Sequence, residues 1–156
     1  MTAMREAGRM PAIDVVDETF LAVPRERVAT VFADPAAWSR FWPDLDVELM
    51  TDRGAQGVRW TVVGERVGTM EVWLEQVLDG TVLHYFLRVD PAGRDRRRTR
   101  AEIRRDARAD RDEGRRRQRD AKRIAFALKR DLEGGRPAGE PPEHREKRQR
   151  NENRHG

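Results

Sequence analysis

The sequence predicts an α+β fold in which an antiparallel sheet of about five strands packs on a long C-terminal helix. Residues 57–90 alternate between apolar and polar side chains and contain two glycine-bearing turns, which is typical of antiparallel strands. Residues 121–132 instead repeat apolar side chains at helical spacing, and Gly134-Gly135 ends that run. Earlier in the chain, two β-rich runs flank two short helical patterns.

The length and composition predict one domain with polar ends. The chain has 156 residues, 38% of them charged, and its apolar residues concentrate at 13–90 and 121–132. We therefore expect a folded domain over residues 13–135. A flexible leader over 1–12 and a disordered tail over 136–156 flank it in this prediction.

The sequence also excludes several kinds of site and predicts a location. It has no cysteine, which excludes disulfides and thiolate chemistry. It has no phosphate-binding glycine loop and no cluster with metal-ligand spacing, so we expect neither a cofactor nor a metal. A signal-peptide core and an apolar run of about 18 residues are both missing, which predicts a soluble, cytoplasmic protein without a transmembrane segment.

The first third of the chain carries two predicted strands and two predicted helices. Residues 13–23 are rich in β-forming side chains and precede a proline. Residues 25–33 then place apolar side chains at helical spacing, and residues 35–42 form a second short helical turn before Pro43. Residues 45–51 alternate, which predicts a half-buried strand with Leu45, Val47 and Leu49 on its inner side.

Asp79-Gly80 sets the predicted register of the last two strands. Asp-Gly tolerates the positive φ angles of a two-residue hairpin loop, so Leu78 is expected to pair with Thr81. Counting outward gives one polar and one apolar face. The expected polar pairs are Glu75 with His84, Trp73 with Phe86 and Glu71 with Arg88, and the apolar pairs are Leu74 with Tyr85, Val72 with Leu87 and Met70 with Val89.

A looser turn closes the preceding hairpin. A three-residue loop between Gly64 and Gly68 adds the apolar side chains of the third strand to the same face, so the sheet has one dry and one wet face. The expected pairs are Trp60 with Val72 and Val62 with Met70.

An arginine-rich stretch precedes the apolar part of the last helix. Residues 94–123 hold 15 Lys/Arg and 7 Asp/Glu, and residues 94–114 are interpreted as an extension of that helix. The stretch could serve as a basic adaptor that binds nucleic acid or protein. Acids interrupt it throughout and it lacks interleaved aromatic residues, which favours a solvated helix with internal ion pairs.

Residues 18–45, ETFLAVPRERVATVFADPAAWSRFWPDL, resemble the opening of the START-like (SRPBCC) superfamily, which includes polyketide cyclase/dehydrase and lipid-transport proteins. The matching features are a strand that ends at Pro24, Val28 four residues later, and Asp34-Pro35. Trp38, Trp42 and Pro43 complete the match. The closing helix AKRIAFALKRDLEGG and the meander with Trp73 are similar to those of short bacterial members.

The resemblance implies a helix-grip fold, in which a curved sheet wraps around the last helix and leaves an apolar cavity. It further implies that this cavity binds a hydrophobic small molecule, lipid-like or polyketide-like. The residues expected on the cavity wall or at its mouth are Trp38, Trp42, Trp60, Val62, Met70, Val72, Leu74, Tyr85, Leu87, Ile124 and Leu128.

This chain departs from the family pattern after Asp90, where arginine-rich sequence replaces two further strands. The cavity is therefore expected to be smaller, more open, or closed by a second copy in a homodimer that pairs along an open sheet edge.

Two single residues are candidates for chemistry. His84 with Glu75 could orient an imidazole for catalysis, but the predicted register puts both on the wet face, which favours a surface pair. Tyr85, the only tyrosine, could donate a hydrogen bond to a ligand carbonyl, although buried tyrosines more often find a partner within the protein. The nearly all-apolar inner face favours binding over catalysis, with a polyketide cyclase or dehydratase as the alternative and no catalytic residue assigned.

Overall fold

The computed structural model describes residues 9–94 and 96–134. The expected tail at 136–156 and most of the expected leader lie outside these residues. The elements, in chain order, are β1 (Ile13–Leu21), α1 (Arg25–Ala33), α2 (Pro35–Phe41), β2 (Asp46–Asp52), a 3-10 turn (Gly54–Gln56), β3 (Gly57–Val63), β4 (Arg66–Val77), β5 (Gly80–Pro91) and α3 (Arg100–Glu133).

The five strands form one antiparallel sheet in the order β1-β5-β4-β3-β2. Helix α3 lies against β1 and covers the inner face of the sheet, while α1 packs on β3 and β4. The α+β class, the five strands and the long C-terminal helix are therefore confirmed. No helix of the described residues is long and apolar enough to cross a membrane.

The turn between β4 and β5 is Leu78-Asp79, so the expected Asp79-Gly80 turn is wrong. Gly80 lies within β5 and pairs with Val77. A Cβ at this position would come 2.4 Å from the Phe20 ring of β1, so packing against β1, and not the turn, requires the glycine. Every partner is displaced by two residues from the expected register. A two-residue shift preserves the alternation of faces, so the two faces are confirmed while the individual pairs are wrong. The observed pairs include Trp73 with His84, Val72 with Tyr85 and Met70 with Leu87.

The β3–β4 hairpin shows the same displacement. Trp60 pairs with Met70 and Val62 with Gly68, so Gly68 is a strand residue and not the end of a three-residue loop. A Cβ on Gly68 would lie 2.0 Å from the backbone oxygen of Arg88. Only glycine lets the backbones of β4 and β5 come this close at position 68, and the sequence pattern does not reveal this contact.

Strand β2 is more exposed than expected. It is an outer strand of the sheet, and a bulge between Leu49 and Thr51 breaks its alternation. Leu49 lies opposite the buried Trp60, on the inner face as predicted, but it is 53% exposed because no strand covers the outer side of β2. Leu45 is buried just before the strand begins.

Helix α3 begins at Arg100, so Arg94 and residues 96–99 of the expected extension are not helical. Thr99 and Glu102 form a capping box that satisfies backbone donors at the helix start. Gly134 ends the helix in the left-handed conformation, as Gly134-Gly135 predicted.

Candidate ligand-binding site

The position of α3 is set by hydrogen bonds to the free edge of β1. Gln118 Nε2 donates to the carbonyl of Val16 at 2.9 Å, and Lys122 Nζ donates to the carbonyl of Glu18 at 2.9 Å. Lys129 Nζ donates to the next outward carbonyl, that of Phe20, at 2.8 Å. The helix therefore runs parallel to β1 and closes one side of the space above the sheet.

The space between the sheet and α3 is almost filled by side chains. It encloses about 10 Å³, which is about the room that one water needs. Its lining is Asp17, Phe32, Trp42, Val72, Leu83, Tyr85, Ala121, Ile124 and Ala125.

An aromatic cluster fills the end of this space nearest α2. The Trp42 ring stacks on the Tyr85 ring with centroids 6.0 Å apart and contacts Trp60 edge-on at 5.3 Å. The Tyr85 hydroxyl donates to the sulfur of Met70 at 3.5 Å, and burial raises the pKa of Tyr85 well above its usual value. Trp38 contacts Trp60 edge-on, with ring centroids 5.5 Å apart.

One polar atom of this cluster is unsatisfied. Trp60 is fully buried, and its Nε1 has no hydrogen-bond partner among the described residues. A buried donor without a partner costs about 1–3 kcal/mol. The neighbouring Trp38 indole, by contrast, donates to the carbonyl of Phe32 at 2.7 Å.

A wider cleft of about 200 Å³ lies outside the aromatic cluster. Trp42, Tyr85 and Ala121 line both this cleft and the inner space, so these three side chains lie between the two. The remaining cleft residues are Phe41, Pro43, Asp44, Arg116, Arg117, Asp120 and Arg123.

A partly buried ion-pair network reaches the cleft through Asp44 and Arg117. Arg117 Nη2 donates to Asp44 at 2.9 Å, and Arg117 Nε donates to Glu113 at 2.9 Å. Arg66 donates from Nε to the same Glu113 carboxylate at 3.0 Å. The hydrogen bond from Arg66, with that from Arg117, lowers the pKa of Glu113 to about 2.

Comparison with solved structures identifies the fold. The solution structure of the Aha1 dimer from Colwellia psychrerythraea is similar over 80% of this chain and 99% of that chain, with a TM-score of 0.51 and 10% identity. The chain has the helix-grip fold. No protein-family model and no curated protein matches the sequence.

Two further solved structures are similar at lower TM-scores, and the identification does not depend on them. DR_A0006 from Deinococcus radiodurans has a TM-score of 0.45 and 17% identity, over 65% of this chain and 96% of that chain. TTHA0849 from Thermus thermophilus has a TM-score of 0.39 and 13% identity, over 72% of this chain and 94% of that chain.

The helix-grip core brings together some of the residues expected at the site and buries the others elsewhere. Trp42, Val72, Tyr85 and Ile124 line the inner space. Trp38 is only partly buried. The remaining expected residues are buried in the surrounding core: Trp60, Val62, Met70, Leu74, Leu87 and Leu128.

Sequence reasoning missed the polar group at the rim of the inner space. Asp17 is buried, accepts a hydrogen bond from Thr19 at 3.1 Å and pairs with Lys122 at 3.2 Å. Strand β1 alternates, so Asp17 and Thr19 are in phase with the buried Ile13 and were identifiable as inward-facing. Because Lys122 and Thr19 hold this carboxylate, it has a clear structural role.

His84 lies on the face of the helix-grip sheet that points away from α3. Its Nε2 contacts Glu75 at 2.9 Å, which confirms the expected contact although the two residues are diagonal neighbours. Its Nδ1 contacts Glu18 at 3.1 Å, and its ring stacks on Trp73 at 4.4 Å. The imidazole is therefore remote from the inner space, and no three His, Asp or Glu of the described residues are placed to hold a metal.

Proposed function

We propose that this protein binds a hydrophobic small molecule, lipid-like or polyketide-like, between the sheet and α3. The observation that carries the proposal is that the inner space and the outer cleft share three lining residues, Trp42, Tyr85 and Ala121, which form the wall between them. Helix-grip proteins bind hydrophobic ligands at this place in the fold, which supports the assignment.

Binding in this mode requires the wall to move. A space of about 10 Å³ excludes even a short acyl chain, so the ligand displaces a side chain as it enters. Trp42 is the candidate gate because it immediately follows the last residue of α2 and fills the end of the core with a large ring. Its outward rotation would join the inner space to the cleft of about 200 Å³.

The lining favours an amphiphile with an anionic head. The inner space is lined mainly by apolar side chains, whereas the cleft carries three arginines, Arg116, Arg117 and Arg123, against Asp44 and Asp120. A ligand carboxylate in the cleft would lie near these arginines, while its apolar tail would lie in the inner space.

A fluorescent polyene fatty acid tests the proposal. We expect the wild type to bind this fatty acid. Ala121→Leu places a larger side chain where the inner space meets the cleft, so it should weaken binding about tenfold or more. Ala109→Leu is the matched control, because Ala109 is an exposed alanine of the same helix. Absence of binding by the wild type, or equal weakening by both variants, would contradict the proposal.

Native mass spectrometry of the purified protein supplies an independent readout. A co-purifying apolar adduct names the ligand class, and the same spectrum gives the subunit count. We also propose a homodimer through the open β2 edge, a proposal supported by the exposure of that strand and by the dimeric state named for the Aha1 structure. A monomeric mass at micromolar concentration argues against that dimer. The cytoplasmic location and the cyclase or dehydratase alternative remain predictions.

A further inference from the structure

The charges of α3 are sorted by face, although they are mixed along the sequence. Asp106, Asp110 and Glu113 recur at helical spacing and turn toward the rest of the domain. Arg94 donates to both oxygens of Asp110 at 2.7 Å, and Arg98 donates to Asp106 at 2.6 Å. Acids that interrupt the arginine-rich sequence are thus neutralised by intramolecular partners.

The outward face of α3 is left strongly basic. Ten arginines of this helix are exposed, whereas only two of its acids, Asp112 and Asp131, are exposed. The exposed arginines are Arg100, Arg104, Arg105, Arg108, Arg111, Arg115, Arg116, Arg119, Arg123 and Arg130.

Five of these arginines form a row, which we call the arginine stripe: Arg104, Arg108, Arg111, Arg115 and Arg119. Steps of three or four residues keep them on one side of the helix over about 22 Å. Within residues 9–94 and 96–134, no acidic group lies within ion-pair distance of any of the five. Their guanidinium groups are therefore available for an external anion.

We infer that the arginine stripe binds the phosphate backbone of double-helical nucleic acid. Guanidinium groups match phosphate bidentately, which favours arginine over lysine at such contacts. Each strand of a duplex carries about one phosphate per 3.4 Å of helix axis, so a row of about 22 Å laid along a groove can meet several phosphates. Backbone contacts of this kind give affinity without sequence selectivity.

The composition of the face favours a duplex over a membrane or a single strand. An interfacial membrane helix inserts an apolar face, but the apolar side of α3, including Ile124 and Leu128, is buried on the sheet. Single-strand binding uses a series of stacking aromatics, and the outward face has only Phe126.

The test is a titration of a labelled, mixed-sequence DNA duplex of about 20 base pairs, roughly two helical turns, with the full chain. Fluorescence anisotropy is recorded between about 50 and 200 mM salt. The stripe variant carries Arg108→Gln, Arg115→Gln and Arg119→Gln. These residues are exposed and glutamine is a good helix former, so circular dichroism should match the wild type.

The matched control removes the same charge away from α3. It carries Arg9→Gln, Arg40→Gln and Arg88→Gln, three exposed arginines. We expect the stripe variant to reduce the slope of log K against log salt by about 2 to 3, and the control to leave it unchanged.

Three results would overturn the inference. The first is no duplex binding by the wild type at about 50 mM salt, where such contacts are strong. The second is an equal loss in both variants, which would indicate net charge alone. The third is binding to phosphatidylserine vesicles without binding to the duplex, which would assign the stripe to a membrane surface.

Discussion

Replacing Glu113 with glutamine removes the central anion of the buried network on α3. The Glu113 carboxylate accepts hydrogen bonds from Arg66 and Arg117, and these contacts hold its pKa near 2, against 4.5 for a free glutamate side chain. Arg117 is buried and keeps only Asp44 as an ion-pair partner in the variant. Glu113→Gln should therefore destabilise the fold.

The magnitude follows from the pKa. A fall from 4.5 to about 2 corresponds to at most about 3 kcal/mol of stabilisation at neutral pH, and solvent screening at Arg66 reduces this to about 2 kcal/mol. Because the pKa is lower in the folded state, the stabilisation is complete above about pH 5 and is lost as the pH falls toward 2. The variant lacks this dependence, so the stability gap narrows in acid.

Urea unfolding followed by tryptophan fluorescence at pH 7 and pH 3 measures the gap. Asp112→Asn is the control, because Asp112 is an exposed acid of the same helix and its loss should change the free energy of unfolding by less than about 0.5 kcal/mol. The reasoning is refuted by a Glu113→Gln gap of the same size at both pH values, or by a control loss as large as the Glu113→Gln loss.

Three further predictions concern the backbone and the core. Leu78 is 90% exposed at a φ of 56°, so Leu78→Asn should raise the melting temperature by about 3 °C; an unchanged value would contradict the strain. Gly57→Ala should cost about 3 kcal/mol, since its Cβ would lie 2.0 Å from the Val72 oxygen, whereas Gly114→Ala, with open space around it, should add about 1 kcal/mol in the same urea assay. Burial raises the pKa of Tyr85, the only tyrosine, so the phenol stays neutral in the folded protein above about pH 10, where it ionises in the unfolded chain. The free energy of unfolding should therefore be constant below about pH 10 and fall above it. Phenolate absorbance should accordingly appear only as the protein unfolds in alkali, and a separate earlier titration would show that Tyr85 is accessible.

Local patterns were sufficient to predict the elements of this fold. The helical spacing behind Pro24 placed α1 at its observed bounds, and alternation assigned the two faces of β4 and β5. Both signals depend on neighbours in sequence, which is why they survived a register error of two residues.

The remaining features depend on contacts between distant residues. The sequence pattern assigns Gly80 to a turn because it does not show that Phe20 of β1 packs against this glycine. The sequence pattern also does not show that Glu113 and Asp110 of α3 face the domain, because their partners Arg66 and Arg94 are distant in sequence. Similarly, apolar spacing could predict a covered sheet but not that Trp42 and Tyr85 fill the space beneath the helix.

The two edges of the sheet differ in a way that limits how copies of this chain can assemble. The carbonyls of Val16, Glu18 and Phe20 on β1 accept hydrogen bonds from Gln118, Lys122 and Lys129, whereas β2 is exposed along almost its whole length. Fibre growth by strand addition needs a donor edge and a different acceptor edge on every subunit. Among the described residues β2 is the open edge of the sheet. It can pair only with its own equivalent in a second copy, so sheet extension would end at a closed, two-fold symmetric pair. By lying along β1, helix α3 thus prevents open-ended assembly of copies through strand pairing.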